Sequence, residues 1–399
     1  MAKVADDEFC DALDHLDVED AEEAAIEALQ NDVDPEPDHT GGGYHFDTPA
    51  HLAELKEQRA QLWAWLKGVG SHMFKEGINL TKISLPVCLF EARSFLERLT
   101  TNWEYNSLLQ HAAACSDPAD RMRWTVAFAV SGLCRQVSFH KPFNPILGET
   151  YQAVYPNGIR VFCEQISHHP PISSWEVYEP SAKFVFTGNG NWVAGIKGNS
   201  VKGRQTGRNV VRFASDGASI EYELPGLQVK GVLWGTRVLK YGGQMVFKDV
   251  KNGLQATVDV DPQPQAGFLT GWFSRNKKPH KPDQIVGKLT RISDGTVLDT
   301  CHGNWLHYLE WDGGCAGGSG RSGKEKEGQR LKRLWDIRTA TLTPAVPVPD
   351  ALPSDCRHRE DVVFLAAKDQ AKSQEWKHTL EERQRRDRKL RKEGGGYEH

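Results

Sequence analysis

The sequence predicts a mainly β protein of the α+β class: a large antiparallel sheet curled into a barrel or split sandwich, helices before it and a long helix after it. Three observations predict this. From Tyr151 onward apolar residues recur with period two, in segments separated by Gly, Asn, Asp or Pro. Hairpin punctuation at Asp216-Gly217, Tyr241-Gly242-Gly243, Asn252-Gly253 and Asp294-Gly295 suits sequential antiparallel neighbours. Upstream of Tyr151 the spacing is instead i, i+3, i+4, the mark of helices packed on a core.

The elements follow in order. The first forty residues hold fifteen Asp/Glu and one Lys, so within a formal net charge of −4 the remainder is basic. Residues 1–48 are therefore expected to be a disordered acidic arm, and the basic body, residues 49–393, to meet an anionic partner. Leu52, Leu55, Leu62, Trp63, Trp65, Val69, Met73 and Phe74 predict a helix from about His51 to Phe74. It is a packed helix or, given Trp63, Trp65, Met73 and Phe74, a lid over a cavity or a membrane-touching element, with its extended continuation reaching about residue 80. Helices are then predicted from Ser94 to Leu109 and, opened by Asp117-Pro118, from Ala119 to Leu133. Strands are predicted at Ile159–Ser167, Ile172–Tyr178, Lys183–Phe186, Val210–Phe213, Ala218–Leu224, Val229–Leu239, Gln244–Phe247, Leu254–Val260 and Gln284–Ile292. The Gly-rich and charged residues 312–328 suggest a flexible insertion, with one further strand in Leu331–Thr343, a single long helix from Asp361 to Lys392 and a disordered tail at 394–399.

Composition narrows the class. With 39% hydrophobic and 26% charged residues, the chain is ordinary for a soluble globular protein. Eight cysteines without a CxxC pair fit reduced thiols of the cytoplasm, and neither a secretory apolar core at the start nor a membrane-length apolar run occurs. The expectation is a cytoplasmic protein that meets membranes peripherally. The basic C-terminal stretch lacks the interleaved aromatics of a nucleic-acid binder, so no nucleic-acid partner is expected.

Three stretches carry candidate chemistry. Glu164-Gln165-Ile166-Ser167-His168-His169-Pro170-Pro171 places two adjacent imidazoles before two prolines that cannot donate to a ladder, which puts them at a rim of the sheet. Glu164, His168 and His169 also offer ligand types for zinc, although the spacing fits no helical HExxH site. Lys141-Pro142-Phe143-Asn144-Pro145-Ile146-Leu147-Gly148-Glu149-Thr150 holds a cation, an amide and an acid in a proline-stiffened loop, which suits a phosphorylated polyol; a solvated loop is the alternative. On the last helix Lys377, Glu381 and Arg385 are spaced i, i+4, i+8, so that Glu381 can bridge both cations. A fourth stretch, around Glu8, Phe9, Asp11 and Ala12, resembles the acidic tract with two phenylalanines that docks on VAP proteins of the endoplasmic reticulum; a generic acidic tail is the alternative.

Together the first three stretches resemble the oxysterol-binding protein family. Glu164 to Ser174 is similar to its signature with Ile166 in place of Val, Lys141 to Thr150 to its second block, and Leu380-Glu381-Glu382-Arg383-Gln384-Arg385 to its C-terminal block. The resemblance implies an incomplete antiparallel β-barrel around a lipid tunnel, closed by the N-terminal helical lid. It implies phosphatidylinositol 4-phosphate as ligand, with Lys141, Asn144, Glu149, His168, His169, Lys377, Glu381 and Arg385 as head-group holders. A second lipid, a sterol first and phosphatidylserine as the alternative, shares the tunnel, and the activity is exchange between membranes; a sensor that binds without net transfer is the rival. No enzyme chemistry, cofactor or metal is expected. Trp175 and the approach from Cys134 to His140 depart from the family's wording, and the chain reads as a short form whose address is the Phe9 tract, at endoplasmic-reticulum contact sites.

Overall fold

The computed structural model describes residues 41–69, 78–79, 84–168, 171–262, 281–316 and 330–394. The acidic arm through residue 40 with Glu8, Phe9, Asp11 and Ala12 lies outside them, as do Met73, Phe74, His169 and residues 317–328 of the expected insertion. In chain order the elements are β1 (Tyr44–His45), α1 (Pro49–Val69), β2 (Ile78–Asn79), β3 (Phe90–Ser94), α2 (Phe95–Thr100), α3 (Ser107–Ala114), α4 (Pro118–Arg135), β4 (Lys141–Phe143), β5 (Thr150–Val154), β6 (Arg160–Ser167) and β7 (Ile172–Tyr178). There follow β8 (Phe184–Lys197), β9 (Ser200–Thr206), β10 (Asn209–Phe213), β11 (Ser219–Tyr222), β12 (Gly226–Lys230), β13 (Val238–Asp249), β14 (Leu254–Val260), β15 (Gln284–Arg291), β16 (Val297–Asn304), β17 (Tyr308–Ala316), β18 (Arg330–Asp336), β19 (Val346–Pro347), α5 (Glu360–Ala366) and α6 (Gln370–Glu393). Hydrogen-bonded pairing joins 17 strands into one sheet, as expected of a large antiparallel fold, and β3 with β4 forms a separate parallel ribbon.

The chain forms two compact units, of which the larger comprises Phe90–Trp192, Gln205–Gly226 and Tyr241–His399. Its strands run β19-β5-β6-β7-β8-β10-β11-β13-β14-β15-β16-β17-β18, antiparallel throughout. Among the described residues β18 and β19 each have one strand neighbour, so this sheet is open. Period-two chemistry accounts for it: Leu254-Gln-Ala-Thr-Val-Asp-Val alternates buried and half-buried positions along all of β14. On the inner face lies α4, N-capped by Asp117, whose side chain accepts from the Ala119 N–H at 3.0 Å, and buried at every residue from Asp120 to Leu133. Phe128 and Trp103 both meet Phe186 edge-on at 5.5 Å, and Trp103 meets Trp175 at 5.7 Å. Each such buried side chain stabilises the fold by about 1.5–3 kcal/mol. Arg123 is tolerated inside because Asp120, at 2.6 Å, and Asp299, at 2.8 Å, pair with it.

Several elements differ from the sequence-based expectation, each for a local reason. The single helix expected over Asp361–Lys392 is two, because Lys368 takes a left-handed conformation (φ 64°) and Asp369 restarts the helix by accepting from the Lys372 N–H at 3.0 Å. Val229–Leu239 is not one strand: Gly231, at φ +68°, turns the chain where an added Cβ would lie 2.1 Å from the Thr236 carbonyl. Tyr241-Gly242-Gly243 lies within β13 rather than in a hairpin, and Asp312 to Ala316 continue β17 rather than belonging to the insertion.

The smaller unit comprises Met1–Leu89, Val193–Arg204 and Leu227–Lys240. Its helix α1 buries Leu55, Gln58 and Leu62, one stripe at i, i+3, i+7. Leu62 forms a core with Val232 and Leu233, against which the partly buried Trp63 and Trp65 pack. Arg59 donates to the carbonyls of Gly231 at 2.6 Å and Gly235 at 2.7 Å, and Arg237 donates to Gln58 Oε1 at 2.5 Å. Polar clamps of this kind hold the helix where its apolar stripe alone is narrow. Arg59→Ala is therefore expected to remove about 1.5–3 kcal/mol of local attachment and to speed hydrogen exchange across residues 49–69 while leaving α4 unchanged. Equal acceleration in both helices would contradict it.

Candidate functional site

The site is built on the β3–β4 ribbon of the larger unit. Its parallel register sets Phe90 against Lys141 and Ser94 against Phe143, and the buried rings of Phe90 and Phe143 lie 4.8 Å apart. Phe90 also gathers charge. Lys141 Nζ stands 4.7 Å from its ring centroid and Lys377 Nζ, from α6, stands 5.6 Å from it. Lys141 Nζ donates to Asn144 Oδ1 at 2.5 Å and to the Pro142 carbonyl at 3.0 Å, while Lys377, only 5% exposed, donates to Glu381 Oε1 at 2.6 Å. Lys141, Asn144, Lys377 and Glu381 thus converge as their sequence blocks suggest.

Two ammoniums at one ring repel each other. Burial, then Lys377 and Arg359, push the Lys141 ammonium down to about 7, against a smaller opposing pull from Glu381. The side chain as a whole keeps part of its surface in solvent, which screens this repulsion in part. The arrangement favours any anion that neutralises both cations.

Behind this front stands a buried network that sequence reasoning does not find. Arg359 donates to the Asn144 carbonyl and to Glu149 Oε2, both at 2.8 Å, and pairs bidentately with Asp361 at 3.0 and 2.7 Å. Glu149 further accepts from the Ile146 N–H at 2.9 Å and from the Ser94 hydroxyl, the same hydroxyl that caps α2 through the Leu96 N–H. Burial pushes the Glu149 carboxyl up, and Arg359 beside it opposes the shift. Glu149, expected as a head-group holder, is 5% exposed, and its carboxylate is bonded to Arg359, the Ile146 N–H and the Ser94 hydroxyl, which fixes the loop that carries Lys141 and Asn144. Ser373 Oγ donates to the Asp361 carbonyl at 2.8 Å, which ties α6, and with it Lys377, to the same network. Arg359 and Asp361 lie in a charge-rich run that looks like an ordinary solvated helix start, so only burial and long-range pairing reveal them.

The histidine stretch begins where β6 ends. β6 ends at Ser167 and β7 begins at Ile172, with a register irregularity between Gln165 and Ser167, so Pro171 stands just outside the ladder as expected, while Pro170 lies outside the described residues. His168 is half-buried in this turn; His169 lies outside the described residues. Gln165 anchors the turn to the lysine loop: its N–H donates to the Glu149 carbonyl and its carbonyl accepts from the Gly148 N–H, both at 2.9 Å. Gly148 adopts φ +82°, a conformation that favours glycine. Arg385 is exposed on α6 and makes no ion pair among the described residues.

Comparison with known proteins places the fold in a family. The Oxysterol-binding protein family model matches residues 70–399. The chain belongs to the oxysterol-binding protein family. Oxysterol-binding protein 9 of Dictyostelium discoideum is 37% identical over 360 residues, covering 88% of this chain and 79% of that protein. Oxysterol-binding protein-related protein 3C of Arabidopsis thaliana is 28% identical, covering 89% of this chain and 76% of that one. The Osh1 ORD domain in complex with cholesterol superposes with a TM-score of 0.66 at 25% identity, covering 82% of this chain and 81% of its own. The Osh3 ORD from Saccharomyces cerevisiae, in complex with PI(4)P, has a TM-score of 0.59 at 22% identity over 80% and 82% of the two chains, a likeness of fold. Among the described residues no helix is long and apolar enough to cross a membrane.

Arg359→Met would leave Glu149 and Asp361 buried without their cation. The expected loss is about 3–5 kcal/mol of unfolding free energy by denaturant titration. A loss below about 1 kcal/mol, the size of an exposed pair, would contradict the network's structural role.

Proposed function

We propose that this chain binds phosphatidylinositol 4-phosphate and exchanges it for a second lipid, a sterol, between membranes. The observation that carries the proposal is the Lys141–Lys377 pair, two ammoniums converging on the Phe90 ring. A phosphomonoester brings a charge of about −1.5 to −2 near neutral pH and three acceptor oxygens, which suits two converging cations. In this reading Lys141, Asn144, His168, His169, Lys377, Glu381 and Arg385 hold the head group, with Arg385 swinging in from its exposed position and Glu149 fixing the loop from behind. The Osh1 complexes with cholesterol and with ergosterol, at 25% identity, support a sterol as second lipid. The acyl chains or sterol body occupy a tunnel lined by the sheet, with the lid residues Trp63, Trp65, Met73 and Phe74 excluding water. No bond is made or broken. The protein works peripherally on cytoplasmic membrane faces, and the Glu8, Phe9, Asp11, Ala12 tract docks on a VAP protein of the endoplasmic reticulum.

Binding should depend on pH with a definite sign. Lys141 loses its proton at about 7 in the empty site, and a bound phosphate keeps it charged. Binding above that pH therefore takes up a proton, and affinity for vesicles bearing the 4-phosphate should fall as pH rises from about 7 to 9, with the two imidazoles adding to the fall at its lower end. A flat profile over that range would contradict the assignment. Function itself is tested by liposome-to-liposome transfer with both lipids. The wild-type chain should accelerate sterol movement down a phosphoinositide gradient. His168→Ala with His169→Ala should abolish phosphoinositide extraction. Binding without acceleration would mark a sensor, and retention of phosphatidylserine instead of sterol would reassign the second lipid.

A further inference from the structure

The terminal helix carries a polar group that the phosphate clamp does not use. Four residues of α6 are buried along one stripe: Ser373 at 0%, Lys377 at 5%, Leu380 at 6% and Gln384 at 9% exposure. Leu380 is apolar, while Ser373 and Lys377 have polar partners. Gln384 differs. Its Nε2 is buried and has no hydrogen-bond partner among the described residues, between exposed Arg383 and Arg385 that keep their heads in solvent.

Helix geometry fixes where that amide belongs. Seven residues after Lys377, Gln384 lies within about 20° of it around the axis and about 10 Å further along. Both side chains lean toward the N-terminus of α6, so the Gln384 amide and the Lys377 ammonium stay on one face, roughly 10 Å apart along the axis, with Glu381 on the turn between them. An amide nitrogen buried without an acceptor is unfavourable, and a leucine of similar size would fill the position without that penalty. A phosphoinositol head group clamped by Lys141 and Lys377 brings hydroxyl and phosphodiester oxygens to the same side of α6.

We propose that Gln384 is a specificity-determining contact, donating from Nε2 to an oxygen of the bound head group; this rests on the phosphoinositide reading above. The donor distinguishes a phosphoinositol from free inorganic phosphate. The phosphate fills the lysine clamp alone, whereas the larger head group also reaches Gln384.

The test is calorimetric titration of the full chain with a water-soluble short-chain phosphatidylinositol 4-phosphate and, separately, with inorganic phosphate. Gln384→Leu should bind the phosphoinositide about tenfold more weakly, as expected for one lost hydrogen bond to a charged or strongly polar ligand. Binding of inorganic phosphate should stay at the wild-type level, and the unliganded melting temperature should hold or rise because an unpaired donor has been removed. Gln384→Glu should bind the phosphoinositide more weakly still, through charge repulsion. Wild-type phosphoinositide affinity in Gln384→Leu, alongside lost binding in Lys141→Ala, would overturn this inference alone and assign the nitrogen to ordered water. A lower melting temperature of unliganded Gln384→Leu would also overturn it, by showing a structural role. Failure of the wild-type chain to bind the phosphoinositide would overturn the reading beneath it.

Discussion

Two ammoniums share one aromatic ring, and the functional half of this molecule is arranged around that conflict. Phe90 brings Lys141 and Lys377 together through its electron-rich face, while Glu381 accepts from Lys377. The two ammoniums are held in place by a buried layer behind them. Arg359 is enclosed by Glu149 and Asp361, and this buried trio fixes the loop and, through Ser373, the helix. Two cations converging on one ring in front of a buried, hydrogen-bonded support are what make the site a receptor for anions.

The topology explains how residues so distant in sequence arrive there. A short parallel ribbon aligns Phe90 with Lys141, Gln165 docks the lysine loop on the strand that leads into the His168 turn, and the left-handed Lys368 lets α6 start afresh. Ser373 then fastens α6 to Asp361. Each of these is a backbone-level constraint of low freedom, so the charged side chains meet with little entropy left to lose on binding.

Much of the fold was legible because burial on one face of a strand imposes period two. The span Leu254–Val260 read from alternation is the observed β14, and Pro171 does stand outside the β6–β7 ladder. What escaped was structure whose cause is not local. β9 and β16, with sequences such as Ser-Val-Lys-Gly-Arg-Gln-Thr, carry too few apolar residues to show a period and are strands because their neighbours supply the ladder. The break at Lys368 hides in a polar stretch where a lysine at positive φ has no compositional mark. The site was half legible. Lys141, Asn144, Lys377 and Glu381 could be paired from family blocks, but Arg359 and the inward turn of Glu149 depend on a contact across more than two hundred residues that no spacing encodes.

The central claim is that two ammoniums converge on Phe90 to receive a phosphate, and the Lys141 ammonium reports it. Its titration by NMR, with lysine side chains isotopically labelled and assigned through Lys141→Arg, is the direct measurement. The account predicts a midpoint near 7 in the empty protein and an upward shift when soluble phosphatidylinositol 4-phosphate is added. A midpoint at the ordinary lysine value of about 10.4 in the empty protein, unmoved by the ligand, would contradict it.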